Sequence, residues 1–169
     1  MTVSGEESYT ASYIYDLNNR LLKQTKEQNG TEEIRDYAYD PNGNQISWRK
    51  STLSAAGGAP ELTTETDGTD FGLYSYDGFN RVKTYTNGVK QINYGYNAEN
   101  LRIYKTVNGK FTGYVWNGNN LAAETNENTI TNTYTYGVDG IRTAKINGNT
   151  SLYIKNVHGD VVGITDTAG

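Results

Sequence analysis

The stretch "YAYDPNGNQI", Tyr37–Ile46, decides how this chain is read. Two tyrosines separated by one residue lie on the same face of a β-strand, because side chains alternate. Asp40 then suits the first corner of a type I turn, where its carboxylate accepts a backbone N–H two residues on. Pro41 presets the second corner, and Gly43 tolerates the left-handed conformation that closes such a hairpin with a G1 bulge. One short stretch thus spells strand, turn and returning strand.

The same stretch recurs along the chain, as "YIYDLNNRL" from Tyr13 and "YSYDGFNRV" from Tyr74. Let position zero be the second aromatic of each copy: Tyr15, Tyr39, Tyr76, Tyr96, Trp116 and Tyr136, with Lys155 in a degenerate seventh copy. Position −2 is then always tyrosine: Tyr13, Tyr37, Tyr74, Tyr94, Tyr114, Tyr134 and Tyr153. Position +4 is always Asn or Gly: Asn19, Gly43, Asn80, Asn100, Asn120, Gly140 and Gly159. Position +1 is Asp16, Asp40, Asp77, Asn97, Asn117 or Gly137. From Tyr76 to Tyr136 the step is 20 residues each time; it is 24 at the start, 19 at the end and 37 at one interruption. A second turn lies between copies, marked by Asn87-Gly88, Asn108-Gly109 and Asn147-Gly148, with "ENT" around Asn128 in the equivalent place. Each unit is then two strands and two turns, and the chain is predicted to be all-β. The expected fold is an antiparallel meander of hairpins, about 14 strands forming a strongly curved sheet or part of a β-shell.

Early strands are expected near 9–15, 20–28, 32–39 and 44–50, after a frayed 1–8. Residues 1–50 hold copies one and two, and 71–169 hold copies three to seven. Between them 51–70, "STLSAAGGAPELTTETDGTD", reads as a loop or insertion with a short strand near Leu62. The second strand of each unit supplies Leu21, Val82, Leu101, Ile103, Leu121 and Ile141, so tyrosine columns are expected to interleave with aliphatic ones. The aliphatic position is not constant, falling at +6 in some copies and at +5 and +7 in others. A one-residue slip changes the face of a side chain.

The composition fits: 15 Tyr against 3 Phe and 2 Trp, 19 Gly and only 2 Pro in 169 residues. The net charge of −4 speaks against nucleic acid and anionic membranes as partners. The absence of cysteine removes disulfides and thiolate chemistry. No apolar run reaches the ~18 residues needed to span a bilayer, so no membrane insertion is expected. "TVSGEES" after Met1 has no signal-peptide pattern.

The unit "YxYDxxGRL" at about 20 residues resembles the RHS or YD-repeat family, the β-shell portion of bacterial Rhs and wall-associated polymorphic toxins, related to the teneurin shell. The resemblance rests on "YIYDLNNRL", "YAYDPNGN", "YSYDGFNRV" and "YNAENLRIYK", with "YVWNGNNLAAE" and "YTYGVDGIRTAK" as divergent copies. It implies a secreted or cell-surface bacterial segment that encloses or scaffolds a toxin or another part of its own polypeptide, without the family's self-cleavage motif or toxin. No enzyme activity, catalytic residue, cofactor or metal is expected. His158 with Asp160 or Asp166 could imitate part of a triad, but "NVHGD" reads as a turn. Asp16, Asp40, Asp77 and Asp139 sit where Asp has a local backbone task. The sequons at Asn29 and Asn149 are expected by chance in so Asn-rich a chain. The alternative function is a surface module whose aromatic repeats bind carbohydrate or choline-like ligands. Open sheet edges also predict edge-to-edge self-association.

Overall fold

A computed structural model describes residues 8–54, 61–63 and 70–168. The expected fraying of 1–8 therefore lies almost wholly outside the described residues, as do 55–60 and 64–69 of the interrupting stretch. The fold is an all-β antiparallel meander, with no helix among the described residues. Strand order follows chain order, with the first and last strands at the two ends of the path.

The chain divides into two compact units, Met1–Ile92 and Asn93–Gly169. The first holds β1 (Thr10–Tyr15), β2 (Leu21–Gln28), β3 (Thr31–Tyr39), β4 (Gln45–Ser54), β5 (Glu61–Thr63), β6 (Phe71–Tyr76) and β7 (Val82–Thr86). β8 (Gln91–Tyr96) runs from the first unit into the second. The second holds β9 (Arg102–Val107), β10 (Lys110–Asn117), β11 (Asn120–Asn126), β12 (Thr129–Gly137), β13 (Gly140–Ile146), β14 (Asn149–Lys155) and β15 (Val161–Asp166). β4 continues through Ser51–Ser54 into the stretch read as loop, and β5, which contains Leu62, pairs with β4 off the main path.

Register explains the aliphatic position where it falls at +6 or +5. Where three residues separate the turn's paired ends, as between Asp16 and Arg20, position zero pairs with +6: Tyr15 with Leu21, Tyr39 with Gln45, Tyr76 with Val82 and Lys155 with Val161. Where only two do, it pairs with +5: Trp116 with Leu121 and Tyr136 with Ile141. In all six hairpins the register then slips by one residue just inside position zero, leaving Leu22, Ile46, Lys83, Ala122, Arg142 or Val162 as the extra residue of a bulge. The bulge sets the rest of the strand to a fixed face whatever the turn length. Copies also join one another in one register. Position −3 of a copy pairs with +8 of the copy before it (Asp36 with Lys23, Leu73 with Ser47, Gly113 with Tyr104), or with +7 after a tight turn (Thr133 with Ala123, Leu152 with Thr143).

Burial is shallow. Among the described residues the buried apolar side chains are Ala123 and Ala144, and no large side chain is fully buried. Stability in such a layer rests on cross-strand pairs and hydrogen bonds rather than on a deep core.

Candidate functional site

The repeat itself is the most organised surface feature. In Asp16 and Asp77 one carboxylate oxygen accepts two backbone N–H groups, from Asn18 and Arg20 at 2.9 Å, and from Phe79 and Arg81 at 2.9 and 3.1 Å. The other oxygen holds the arginine side chain at 2.6 and 2.7 Å. Asp40 does the same with Asn44, at 2.8 Å for the backbone and 2.9 Å for the amide. Asn97 reaches the Leu101 N–H at 2.8 Å, and Asn156 the N–H groups of His158 and Asp160. A neutral acceptor thus performs the backbone task, while the charge serves the arginines.

Left-handed φ values fall at Asn19 (60°), Gly43 (88°), Asn80 (60°), Asn100 (64°), Gly140 (98°) and Gly159 (85°). Asn120 differs: it opens β11 opposite Asn117, and the positive φ falls at Gly118 (57°) instead. Asn108-Gly109 and Asn147-Gly148 have positive φ at both residues, as does Asn29-Gly30, read from the sequence only as a sequon. Asn87 instead caps its loop through its side chain, accepting from Val89 and Lys90 at 3.1 and 2.6 Å.

The two tyrosine columns do different things. At position zero three of the rings reach back to the preceding copy. The Tyr39 hydroxyl donates to the Leu21 carbonyl at 2.9 Å, that of Tyr76 to Gln45 at 2.8 Å, and the Trp116 indole N–H to Arg102 at 2.9 Å. Each acceptor is position +6 of the copy before. Lys155, at position zero of the last copy, donates its ammonium to the Asp139 carbonyl instead. Neighbouring turns are tied as well, Arg20 to the Asp40 carbonyl at 3.2 Å and Asn42 and Asn44 to Asn80 at 3.2 and 2.9 Å. Changing Tyr76 to Phe should cost about 1 kcal/mol, since the Gln45 carbonyl loses its partner. Tyr15, which makes no such bond among the described residues, supplies the neutral control; urea unfolding of both variants measures the difference.

At position −2 the cross-strand partner varies: Gln24 for Tyr13, Trp48 for Tyr37, Tyr85 for Tyr74, Glu124 for Tyr114, Ala144 for Tyr134 and Ile164 for Tyr153. The expected interleaving with aliphatic residues holds at position zero except for Tyr39, which faces Gln45, and at position −2 only for Tyr134 and Tyr153. Arg102 lies over the rings of Tyr94 and Tyr114, at 5.4 and 4.8 Å from their centroids, and its buried Nε has no hydrogen-bond partner.

In the first unit this variable column opens into a concavity of about 440 Å3. Tyr37, Trp48 and Tyr74 supply its aromatic walls, and Arg35, Lys50 and Asp70 its charges. Asp70 is buried and pairs with Lys50 at 3.2 Å. Trp48 and Asp70 stand outside the repeat columns, so the sequence pattern gave no reason to single them out. In the second unit a concavity of about 640 Å3 includes Lys110, Phe111, Glu124 and Asn132. There Asn132 donates to Glu124 at 2.6 Å and its own carbonyl oxygen has no partner.

The residues considered above for bond chemistry do not converge among the described residues. His158 is exposed, and no hydrogen bond joins its ring to Asp160 or Asp166, whose carboxylates hold Asn156 and the Ala168 N–H. Asp16, Asp40, Asp77 and Asp139 are each engaged at their own turn. Among the described residues no group of three or more His, Cys, Asp or Glu could hold a metal. No helix among them is long and apolar enough to cross a membrane.

The turn carboxylates give the chain a pH dependence. Hydrogen bonds from Arg20 hold Asp16 below its ordinary range, the Asn44 amide does so for Asp40, and the Arg81 side chain for Asp77. Asp139 is lowered by its own backbone N–H and by Lys155 and Arg142. A carboxylate with a lowered folded pKa adds stability above its unfolded value, about 3.9, and loses it as pH falls through the folded value. The melting temperature should therefore drop below about pH 4. An Asp16→Asn, Asp40→Asn, Asp77→Asn variant should show a shallower drop; an unchanged slope in melting scans would contradict the assignment.

The chain is 30% identical over 174 residues to the tRNA3(Ser)-specific nuclease WapA of Bacillus spizizenii, an alignment covering 99% of this chain and 6% of that protein. It is 30% identical over 174 residues to the tRNA nuclease WapA of Bacillus subtilis strain 168, with the same coverage. To the tRNA(Glu)-specific nuclease WapA of Bacillus subtilis subsp. natto it is 31% identical over 168 residues, 96% of this chain and 6% of that protein. No protein-family model matches the chain. The chain spans about 6% of the length of these relatives. Their names overturn the expectation of no enzyme activity: all three are named as nucleases, which points to nuclease activity in the proteins that it resembles.

Proposed function

We propose that this chain is one stretch of an RHS or YD-repeat wall in a long bacterial toxin polypeptide, secreted or displayed at the cell surface. Its task there is to hold or enclose the part of that polypeptide that carries tRNA nuclease activity. The observation that carries this reading is the recurring junction: −3 of one copy against +8 or +7 of the last, with position zero reaching back to the +6 carbonyl at three of the junctions. A junction of that kind can be repeated many times without redesign, which suits proteins of which this segment is about 6%. The action is steric. A continuous sheet separates what lies behind it from protease and from substrate.

Deletion in the full-length polypeptide tests this. Removing 97–116 joins Tyr96 to Asn117 and keeps the 20-residue phase, whereas removing 97–106 breaks it. The phase-keeping deletion should leave the nuclease portion resistant to added protease, and the phase-breaking one should expose it. Equal resistance when the whole segment is deleted would overturn the proposal.

The concavity at Tyr37, Trp48 and Tyr74 favours a second reading, a carbohydrate site. Three aromatic rings beside buried Asp70 offer stacking faces with a polar anchor, while Arg35 and Lys50 disfavour a choline-like cation. Soluble oligosaccharides should then change tryptophan fluorescence, and Trp48→Ala should abolish the change. Choline should have no effect.

A further inference from the structure

Glu124 lines the concavity of the second unit together with Lys110 and Asn132. It stands on β11 directly opposite Tyr114 of β10 and Asn132 of β12. These three strands are internal, with β9 beyond β10 and β13 beyond β12, so the site is whole without any further copy of the motif. The Glu124 side chain is half-buried, and its partners are neutral. The Asn132 amide donates to its carboxylate at 2.6 Å. Burial, and then the charge and hydrogen bond of Glu124, push the Tyr134 hydroxyl above its ordinary range. No ion pair among the described residues includes Glu124. Arg102 rests on the Tyr114 ring instead, and exposed Lys110, in the same concavity, does not pair with it either.

The site is short of donors. Asn132 spends its amide on Glu124, and its own buried oxygen has no partner. Buried acceptors are ordinarily satisfied, and a half-buried carboxylate is ordinarily paired with a cation. A carboxylate has about four lone-pair sites, so two neutral donors leave it room. Among cationic groups a guanidinium fits best. It has N–H donors and no acceptor, set in a planar fork that meets a carboxylate with two parallel bonds. We propose that the concavity at Glu124 and Asn132 binds an arginine side chain presented by another polypeptide segment. The fork meets the Glu124 carboxylate, and Asn132 turns its oxygen to accept a further N–H.

The sheet already carries one guanidinium beside this place. Arg102 lies over the rings of Tyr94 and Tyr114, 5.4 and 4.8 Å from their centroids. That contact leaves the carboxylate across from Tyr114 unspent, so the incoming arginine meets a charge that the chain's own arginine does not use. Lys110 is a rival for the same carboxylate, and it has to stay in solvent while the guest is bound. The net charge of −4 favours the approach of a cation. The inference concerns the concavity alone and does not depend on what the sheet encloses in a longer protein.

The test is a titration of the full chain with arginine capped as its Nα-acetyl amide, followed by NMR. The side-chain amide of Asn132 and the backbone amides of Glu124 and Asn132 should shift and saturate. Capped citrulline has the same shape with a neutral urea in place of the guanidinium, and it should bind at least about tenfold more weakly, the worth of one charge-assisted pair. Capped lysine, a point charge without the fork, should bind more weakly than arginine. Glu124→Gln keeps an acceptor for the Asn132 amide and should weaken arginine binding by about tenfold or more. Lys110→Gln, which removes the rival cation, should bind arginine at least as well as wild type. The citrulline comparison needs no substitution, so it decides the matter even if Glu124→Gln does not fold. Four outcomes overturn the proposal. These are equal binding of citrulline, equal binding of lysine, loss of binding in Lys110→Gln, and shifts that fail to saturate or that centre away from Glu124 and Asn132.

Discussion

Gly72→Val should lower stability by about 1–3 kcal/mol, the usual cost of forcing extra carbon into a filled site, and lower the urea midpoint accordingly. Gly72 sits on β6 directly opposite Trp48 of β4. A Cβ there would lie 2.3 Å from the Trp48 indole nitrogen and 2.9 Å from the Tyr85 ring, and real side chains do not approach so closely. The indole would have to leave the sheet surface, and with it one wall of the concavity beside Tyr37 and Tyr74. The junction affected is the only one at which β6 meets β4, through Ser47, Trp48 and Arg49. Trp48→Ala in the Gly72→Val background should recover part of the loss, because it removes the atom that is struck. If the double variant is no more stable than Gly72→Val, the steric account fails.

Gly140→Val should cost a similar amount, about 1–3 kcal/mol, for a different reason. Gly140 has φ of 98°, a backbone conformation that a β-branched residue does not adopt without strain. The ammonium of Lys155, which bonds the Asp139 carbonyl in the same turn, lies 3.1 Å from where a Cβ would be. Gly43 (φ 88°) has nothing within 4 Å, so Gly43→Val isolates the backbone part of the penalty. The expected order of melting temperature is wild type, then Gly43→Val, then Gly140→Val. Unchanged melting in both variants would show that the turns do not hold the left-handed residue placed there.

The repeat columns made the fold class legible, because Tyr-x-Tyr, Asp or Asn, and Asn or Gly each have a local physical reason to stand where they do. Pairing across strands was less legible. The +5 and +6 positions of Leu121 and Leu21 looked like a slip of face, and the bulge beside position zero reconciles them; Ile103, at +7, is exposed. A bulge leaves no residue signature here: the extra residue is Leu, Ile, Lys, Ala, Arg or Val. The reach of Tyr39, Tyr76 and Trp116 to a carbonyl of the preceding copy is a contact between residues 14–31 apart, beyond any local pattern. Asn120 and Asn87 show the limits of turn chemistry, since Gly118 competed for the positive φ in one case and a side-chain cap replaced it in the other. Trp48, Gly72 and Asp70 could not be assembled from sequence at all. The first two meet only through the pairing of β4 with β6, and Asp70 joins them through its own bond to the Lys50 N–H.

The central claim is that one junction, in one register, is reused from copy to copy. Cross-strand proton contacts in solution test it most directly, at Lys23 with Asp36, Ser47 with Leu73, Tyr104 with Gly113, and Thr143 with Leu152. Close contacts at all four pairs are the predicted result. Contacts displaced by one residue at any of them, or sequential helical contacts in their place, would contradict it.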